Sequence, residues 1–293
     1  MKTQEKNSIR STVQRIRAIL MQETREQLEG IYGLNKDGRL EDVDNLPEVM
    51  RDRNKQDTML LLQDFLDEEV RAGLSRLEAV DKIIKETAFT FLNRLVAFKM
   101  MEARGILRGA IDKGIESNGF KFYLAEAADD LKLYENGEAE IAYKNFVLWQ
   151  CRQIANKDHL EVLFRTDNLP SRLFPRFQIL NQVIELLNAE TLDRIWPQDE
   201  TIGWVYQYFI EEDKDAVFHK IYKEKQKMAL RDIPKATQIF TPRWIVEYLV
   251  HNTLGRLWLR MHPDSTLSDK MKYYVPNPST DEERLPLKPV REI

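Results

Sequence analysis

Cysteine, glycine and proline are scarce in this chain of 293 residues, which has 1 Cys, 11 Gly and 11 Pro. A single cysteine forms no internal disulfide, which excludes a disulfide scaffold and favours a reducing compartment. The few glycines and prolines exclude collagen-like and low-complexity proteins. No uncharged apolar run approaches the roughly 20 residues of a membrane span, and the N-terminal MKTQEKNSIR contains no apolar segment typical of a signal peptide. We therefore expect a globular cytoplasmic protein.

Common motifs for catalysis, nucleotide binding and metal binding are also missing. The chain has no G-x-G pair and no P-loop, which excludes the common phosphate-binding loops. Cys151 lies in a helical run, which predicts a buried residue rather than a nucleophile. The acid-x-lysine pattern of some nucleases occurs at Asp130/Lys132 and Glu212/Lys214, no more often than random placement would give. Metal-ligand spacing is absent among the four histidines, which are His159, His219, His251 and His262.

Helical periodicity dominates what is present. Between residues 76 and 104, apolar side chains recur every three or four positions with charged ones between them, so we predict a long helix that ends before Gly105. Residues 30–54 lack periodicity and are predicted to form a linker or loop. Because no alternating strand pattern is present, the fold class is predicted to be mainly α. Further helices are predicted over residues 8–29, 58–70 with Thr58 as N-cap, 143–154, 176–188 and 201–210.

Composition divides the chain into four expected segments. These are an N-terminal helix and linker at residues 1–55, a helical domain at 56–200, a helical segment at 201–262 and a connector at 263–293. The last segment holds five of the 11 prolines, which excludes a long helix there. It is therefore predicted to be extended.

Basic residues concentrate in one stretch of an otherwise acidic chain. The net charge is −4, but residues 214–243 contain eight Lys or Arg and three acidic residues. Lys220, Lys223, Lys227 and Arg231 are spaced three or four apart, which would place them on one helical face. Such a face can bind DNA phosphates. The alternative is a face that is merely solvated.

A helix start is predicted within residues 240–249 (FTPRWIVEYL). Thr241 is expected to cap this helix and Pro242 to occupy its first position, where a missing N–H costs nothing. The first turn would present backbone N–H groups and the positive end of the helix dipole, which suit a carboxylate. Alone, the pattern predicts only a capped amphipathic helix with Ile245 and Leu249 packed inward.

Three segments in order resemble one family: residues 202–209 (IGWVYQYF), 237–246 (TQIFTPRWIV) and 254–258 (LGRLW). They are similar to the adenine-specific DNA methyltransferases of the BREX phage-defence system (PglX) and their type IIG restriction–methylation relatives. Residues 87–102 (TAFTFLNRLVAFKMME) resemble a helix of that family's N-terminal region, and 272–276 (KYYVP) also fit. The resemblance covers residues 77–293. It implies a multi-helix N-terminal region that leads into the start of a Rossmann-like methyltransferase domain.

The Phe-Thr-Pro element resembles motif X of that family, which packs against S-adenosylmethionine near its methionyl end. The resemblance therefore implies that Phe240 is an apolar wall of the cofactor site, and that Thr241, Pro242 and the following N–H groups contact the cofactor. It also implies double-stranded DNA as a partner, together with C-terminal catalytic and target-recognition regions and other proteins of the defence system. No membrane partner is implied.

Two motifs of the family do not occur in these 293 residues. They are the DPACGSG-type loop, which holds the cofactor, and the NPPY-type motif, which grips a flipped adenine. Asn277-Pro278-Ser279 lacks the second proline and the aromatic residue of the latter. Residues 288–293 resemble the approach to the first strand, so we expect the methyltransferase sheet to be absent from this chain and the chain alone to be inactive. The alternative is a non-enzymatic helical adaptor that docks proteins or DNA.

Overall fold

In this computed structural model, residues 2–158 and 160–276 are described, and helices dominate them. His159, the tripeptide Asn277-Pro278-Ser279 and the rest of the expected connector beyond Pro276 lie outside the described residues. Within the described ranges, five short 3₁₀ helices and a π-helix at His251–Gly255 accompany the α-helices. The α-helices are α1 (Thr3–Gly30), α2 (Pro47–Arg51), α3 (Arg53–Arg71), α4 (Arg76–Ala103), α5 (Asn118–Glu126), α6 (Ala128–Glu135), α7 (Ala139–Asp158), α8 (Glu161–Phe164), α9 (Leu169–Arg172), α10 (Phe177–Leu187), α11 (Thr201–Phe209), α12 (Glu211–Tyr222), α13 (Ile233–Thr237), α14 (Arg243–Val250) and α15 (Arg256–Met261).

The prediction of a mainly α fold is confirmed. Among the described residues the only β-type pairing is a single bridge between Leu34 and Leu40. The long helix predicted at residues 76–104 is α4, which begins with a reciprocal capping box: Glu78 N–H donates to Ser75 Oγ at 3.3 Å, and Ser75 N–H donates to the Glu78 carboxylate at 2.9 Å. Gly105 follows its end with φ of +69°, a conformation that favours glycine.

Contacts divide the chain into two units, Met1–Ala236 and Thr237–Ile293. The four segments expected from composition stay a prediction. Within the first unit, α1 is not isolated from the other helices. Its apolar stripe packs against α4, α10 and α11 within the first unit. The core of the first unit is strongly aromatic; its largest fully buried side chains are Trp196, Tyr143, Phe98, Phe120, Phe146 and Phe164.

Residues 30–54 were predicted to form a linker or loop; they are largely a loop, but one that packs into the core rather than an exposed linker. Tyr32, Leu34 and Val49 from this segment are buried in a second apolar cluster with residues of α3 and α4. Their burial comes from tertiary contacts, so no local periodicity announces it. The chain turns at Gly33, whose φ is +60° and which leaves no room for a Cβ beside Glu41.

The predicted N-cap Thr58 is wrong, because α3 begins five residues earlier. The Asp52 carboxylate accepts the Asn54 N–H at 2.8 Å and so caps the helix. Thr58 lies buried inside α3, where its hydroxyl donates to the Asn54 carbonyl at 2.7 Å. A threonine that bonds to the carbonyl four residues earlier is compatible with a helix interior.

The second unit is built around one continuous helical rod. It comprises α14, the π-helix and α15, followed by a 3₁₀ turn at Thr266–Lys270 and a segment that returns to the rod. Gly255 lies where this return passes, and a Cβ there would meet Met271 Sδ at 2.7 Å. The absence of a side chain at this position therefore permits the close approach.

Candidate functional site

Phe240, Thr241 and Pro242 lie directly ahead of α14 in the second unit. The predicted helix start is confirmed to within one residue, but its cap assignment is wrong. Pro242 is the N-cap, with φ of −55° and ψ of 143°, and the Thr241 side chain does not cap the helix. The Pro242 carbonyl accepts the N–H groups of Ile245 at 3.0 Å and Val246 at 3.3 Å. A hydroxyl that is not used for capping stays available to another acceptor or donor, and Thr241 is exposed.

The rod that follows exposes most of its large apolar side chains. The exposed fraction is 56% for Trp244 and 48% for Trp258. Ile245, predicted to pack inward, is half-buried, and Leu249 is exposed. Among the described residues of this unit, only Gly255 and Met271 are buried. The second unit therefore presents a large apolar surface, which in proteins commonly marks an interaction site.

Polar side chains hold the returning segment against the rod. Asn252 Nδ2 donates to the Tyr273 carbonyl at 2.7 Å, and its Oδ1 accepts the Val275 N–H at 2.9 Å. His251 Nδ1 accepts the Tyr273 N–H at 3.2 Å. Arg256 Nη2 donates to the Val275 carbonyl at 2.9 Å. The π-helix places these side chains together, so the unit is joined by hydrogen bonds rather than by an apolar core.

The basic stretch does not form the predicted helical face. Helix α12 ends at Tyr222, and Lys225 adopts φ of +58°, which is outside helical geometry. Lys220 and Lys223 stay near the end of this helix, whereas Lys227 lies in an irregular segment and Arg231 in a 3₁₀ turn. The left-handed backbone of Lys225 supplies the physical reason, because that conformation cannot continue a right-handed helix. Pro234 lies later, in the first turn of α13, where a proline is accepted.

The charges of this stretch nevertheless remain at the surface. Lys220, Lys223 and Lys227 are all exposed, and no ion pair involves them among the described residues. Exposed cations without carboxylate partners are free to meet phosphate groups. The structure separates these three lysines from the ordered face that was expected, but it keeps their charge accessible.

Burial makes the single cysteine chemically inert. Cys151 has an exposed fraction of 1%, and burial raises the pKa of its thiol to about 11. At neutral pH the thiolate, which is the reactive form, is therefore almost absent. This supports the interpretation of Cys151 as a core residue.

Two buried charged groups anchor loops of the first unit. Arg94 Nε donates to the Leu163 carbonyl at 2.8 Å, and its Nη2 donates to the Arg165 carbonyl at 2.6 Å. Burial lowers the pKa of this guanidinium. Burial likewise raises the pKa of Glu102, although its carboxylate accepts the N–H groups of Ala110 and Ile111 at 2.5 and 2.6 Å.

Sequence reasoning missed the loop between α4 and α5. Arg108 lies over the Phe122 ring, with its guanidinium carbon 4.4 Å from the ring centroid. The signal available was the alternation of glycines and cations in residues 104–114 (RGILRGAIDKG), which is too short and irregular for a periodicity argument.

Neither a metal site nor a membrane span is found in the part of the chain that the structure describes. No group of three or more His, Cys, Asp or Glu side chains could hold a metal ion there. None of the helices described combines the length and the apolar character that crossing a bilayer requires.

Comparison with known proteins identifies two relatives. The adenine-specific methyltransferase BrxX of Escherichia coli O9:H4 (strain HS) is 34% identical over 230 residues, which cover 69% of this chain and 17% of that protein. The adenine-specific methyltransferase PglX of Lacticaseibacillus casei (strain Zhang) is 28% identical over an alignment 318 residues long, which covers 95% of this chain and 26% of that protein. The chain thus spans only about a sixth to a quarter of the length of these relatives. No protein-family model matches it.

Proposed function

Because the chain belongs to the PglX-like adenine-specific methyltransferases, we propose that it forms the helical N-terminal portion of a longer enzyme that methylates adenine in DNA. The similarity to BrxX and PglX is the observation that carries this proposal. The Rossmann-like catalytic domain belongs to the longer protein in this proposal, and the 293 residues alone are inactive. The mainly helical fold of the described residues is the supporting context.

The contribution of the second unit is a set of contacts to S-adenosylmethionine, which supplies the methyl group. Phe240 is half-buried and offers an apolar ring, while Thr241 is exposed with a hydroxyl that does not cap α14. The N-terminus of α14 adds the positive end of an eight-residue helix, which favours a carboxylate. These groups fit the methionyl end of the cofactor, which carries a carboxylate.

The contribution of the basic stretch is contact with the DNA backbone. Lys220, Lys223 and Lys227 are exposed and bring positive charge to an acidic chain. The proposal also includes Arg231, which follows in the same basic stretch of the sequence. Contacts of this kind position DNA without reading its sequence. In the longer enzyme, the adenine is flipped out of the duplex for reaction.

A cofactor test uses the proposed longer enzyme, which contains these residues followed by a DPACGSG-type motif. Transfer of labelled methyl groups to duplex DNA is measured for the longer protein, for its F240A and T241A variants, and for the 293-residue chain. We expect each variant to raise KM for S-adenosylmethionine about tenfold, equivalent to about 1.4 kcal/mol of lost binding, and the chain alone to transfer nothing. W258A serves as the control, because Trp258 lies on the same rod but outside the proposed contacts. Methylation by the chain alone would contradict the proposal.

A DNA test reverses the charge of Lys220, Lys223, Lys227 and Arg231 to Glu. We expect weaker binding of duplex DNA and a shallower salt dependence, with the slope falling by about 0.9 for each phosphate that the protein no longer neutralises. Fluorescence anisotropy at several salt concentrations measures both. If neither quantity changes, these residues are only solvated.

The alternative function is a helical adaptor without catalysis. The self-contained aromatic core of the first unit favours it, because such a unit needs no catalytic domain to fold. A gene that encodes no methyltransferase motifs after these residues would favour the adaptor over the enzyme portion.

A further inference from the structure

The loop between α4 and α5 is fixed in place at its centre. The Ala110 carbonyl accepts from Tyr143 Oη at 2.8 Å and from Ser117 Oγ at 3.2 Å. The Ile111 carbonyl accepts from Asn188 Nδ2 at 2.7 Å. Because Glu102 accepts their N–H groups, the N–H and C=O groups of Ala110 and Ile111 are all hydrogen-bonded. Both residues are also buried. The loop is therefore an ordered platform.

Glycines allow the tight path of this platform. Gly119 N–H donates to the Gly109 carbonyl at 2.7 Å, and a Cβ on Gly119 would meet that oxygen at 2.5 Å. Gly114 has φ of +54°. Glycine permits both features, since a Cβ would clash at Gly119 and be strained at Gly114.

The platform presents cations without carboxylate partners. Arg104 pairs with Asp199 at 3.1 Å and Lys121 with Glu116 at 2.9 Å. Arg108 and Lys113 are exposed, and the described residues place no carboxylate within ion-pair distance of either. Ile106, with an exposed fraction of 71%, adds apolar surface.

Arg108 is oriented by an aromatic ring. Its guanidinium lies over Phe122, which is itself 56% exposed. A guanidinium stacked in this way keeps its in-plane N–H groups free, and these form paired hydrogen bonds with phosphate oxygens. Stacking on the ring also restricts the arginine side chain before binding, so less conformational entropy is lost when it binds.

We propose that the loop at residues 104–117 and the start of α5 form a second DNA-backbone contact, in which Arg108 binds a phosphate through two N–H groups and Lys113 binds a neighbouring phosphate as a point charge. This inference rests on the proposed function, since family membership favours DNA over another polyanion. It assigns residues other than Lys220, Lys223 and Lys227. The ordered loop distinguishes it from that irregular stretch.

The test measures binding of a fluorescent duplex of about 25 base pairs by the 293-residue chain across a series of salt concentrations. The double variant R108A/K113A should bind about fivefold or more weakly near 0.1 M salt, and its salt slope should fall by about 1.8, because two phosphates are then no longer neutralised. The variant R108K should keep the slope and lose part of the affinity, because it keeps charge but not the paired donors.

The control is K36A/R39A, which removes one Lys and one Arg from exposed positions in the loop after α1. It changes the net charge equally, so a general charge effect would weaken both double variants alike and overturn the proposal. Circular dichroism checks that both variants retain the helical fold. The proposal would also be overturned if polyglutamate displaced the fluorescent duplex from the chain as effectively as unlabelled DNA does. The surface would then fit an acidic protein.

Failure of this inference can be separated from failure of the proposed function. If the unmodified chain binds no DNA, both the loop proposal and the proposed lysine contacts are wrong. If charge reversal at Lys220, Lys223, Lys227 and Arg231 weakens binding while R108A/K113A matches its control, only the loop proposal is wrong.

Discussion

The two units of the chain bury their apolar side chains to very different extents. In the first unit, large aromatic residues such as Phe98 and Trp196 are almost fully buried. In the second, Trp244 and Trp258 are about half exposed, and the returning segment is held by hydrogen bonds from Asn252, His251 and Arg256. The comparison teaches that similar helical sequence patterns produce a stable core only where several elements share it. The described part of the second unit has one helical rod and one returning segment, which are too few elements to enclose a core.

The largest expected effect comes from opening a cavity in the first unit. Phe98 is fully buried and stacks on Phe164, with ring centroids 5.7 Å apart. We expect F98A to lower the free energy of unfolding by about 3–5 kcal/mol, whereas W244A in the second unit should change it by less than about 0.5 kcal/mol. Urea denaturation followed by circular dichroism measures both. Equal costs would contradict the difference between the units.

A smaller effect is expected from removing a polar contact of the second unit. N252A deletes the hydrogen bonds to Tyr273 and Val275, which are worth about 1 kcal/mol each at most sites. Hydrogen exchange at the Val275 amide should become about tenfold faster, while exchange in α4 should not change. T253V is the control, because the Thr253 hydroxyl donates only within the rod, to the Leu249 carbonyl at 2.6 Å. Unchanged exchange at Val275 would show that other contacts hold the segment.

Sequence reasoning predicted the helices well where burial follows a local period. Helix α4 and its terminal Gly105 are confirmed because one face of a long helix meets the core throughout. The segment around Tyr32 and Val49 was missed because its burial depends on α3 and α4, which lie elsewhere in the sequence. The end of α12 was missed because a lysine, Lys225, occupies a conformation that usually signals itself through glycine.

The candidate site was predictable only in part for a similar reason. The helix start near Pro242 follows from local chemistry, and the structure confirms it to within one residue. The loop that carries Arg108 has no such local rule, since its order comes from Glu102, Tyr143 and Asn188. Only the folded chain brings these anchors together.

The smallest expected effect concerns pH, and it tests how tightly the first unit encloses Glu102. Burial raises the pKa of this carboxyl above its usual value of 4.5 in the folded chain. Between the unfolded and folded pKa values, the folded chain binds more protons, so the free energy of unfolding contributed by Glu102 falls as pH rises through this window. E102Q should remove that contribution.

Urea denaturation of the unmodified chain and of E102Q at several pH values between 4 and 7 gives two profiles of unfolding free energy against pH. Their difference measures the contribution of Glu102. E86Q is a useful companion, because burial raises the pKa of Glu86 in the same direction. Parallel profiles for the unmodified chain and E102Q would show that the carboxyl is better solvated than its burial implies.

The π-helix at His251–Gly255 has a consequence for the direction of the tryptophans. A π-turn inserts about one extra residue into the winding of a helix, which corresponds to a rotation of roughly 100°. Trp258 therefore projects from the rod about a quarter-turn away from the direction that regular α-helical winding from Trp244 would give it. Deleting one residue within this turn would rotate Trp258 and the other side chains of α15 by that angle relative to Trp244 and the rest of α14.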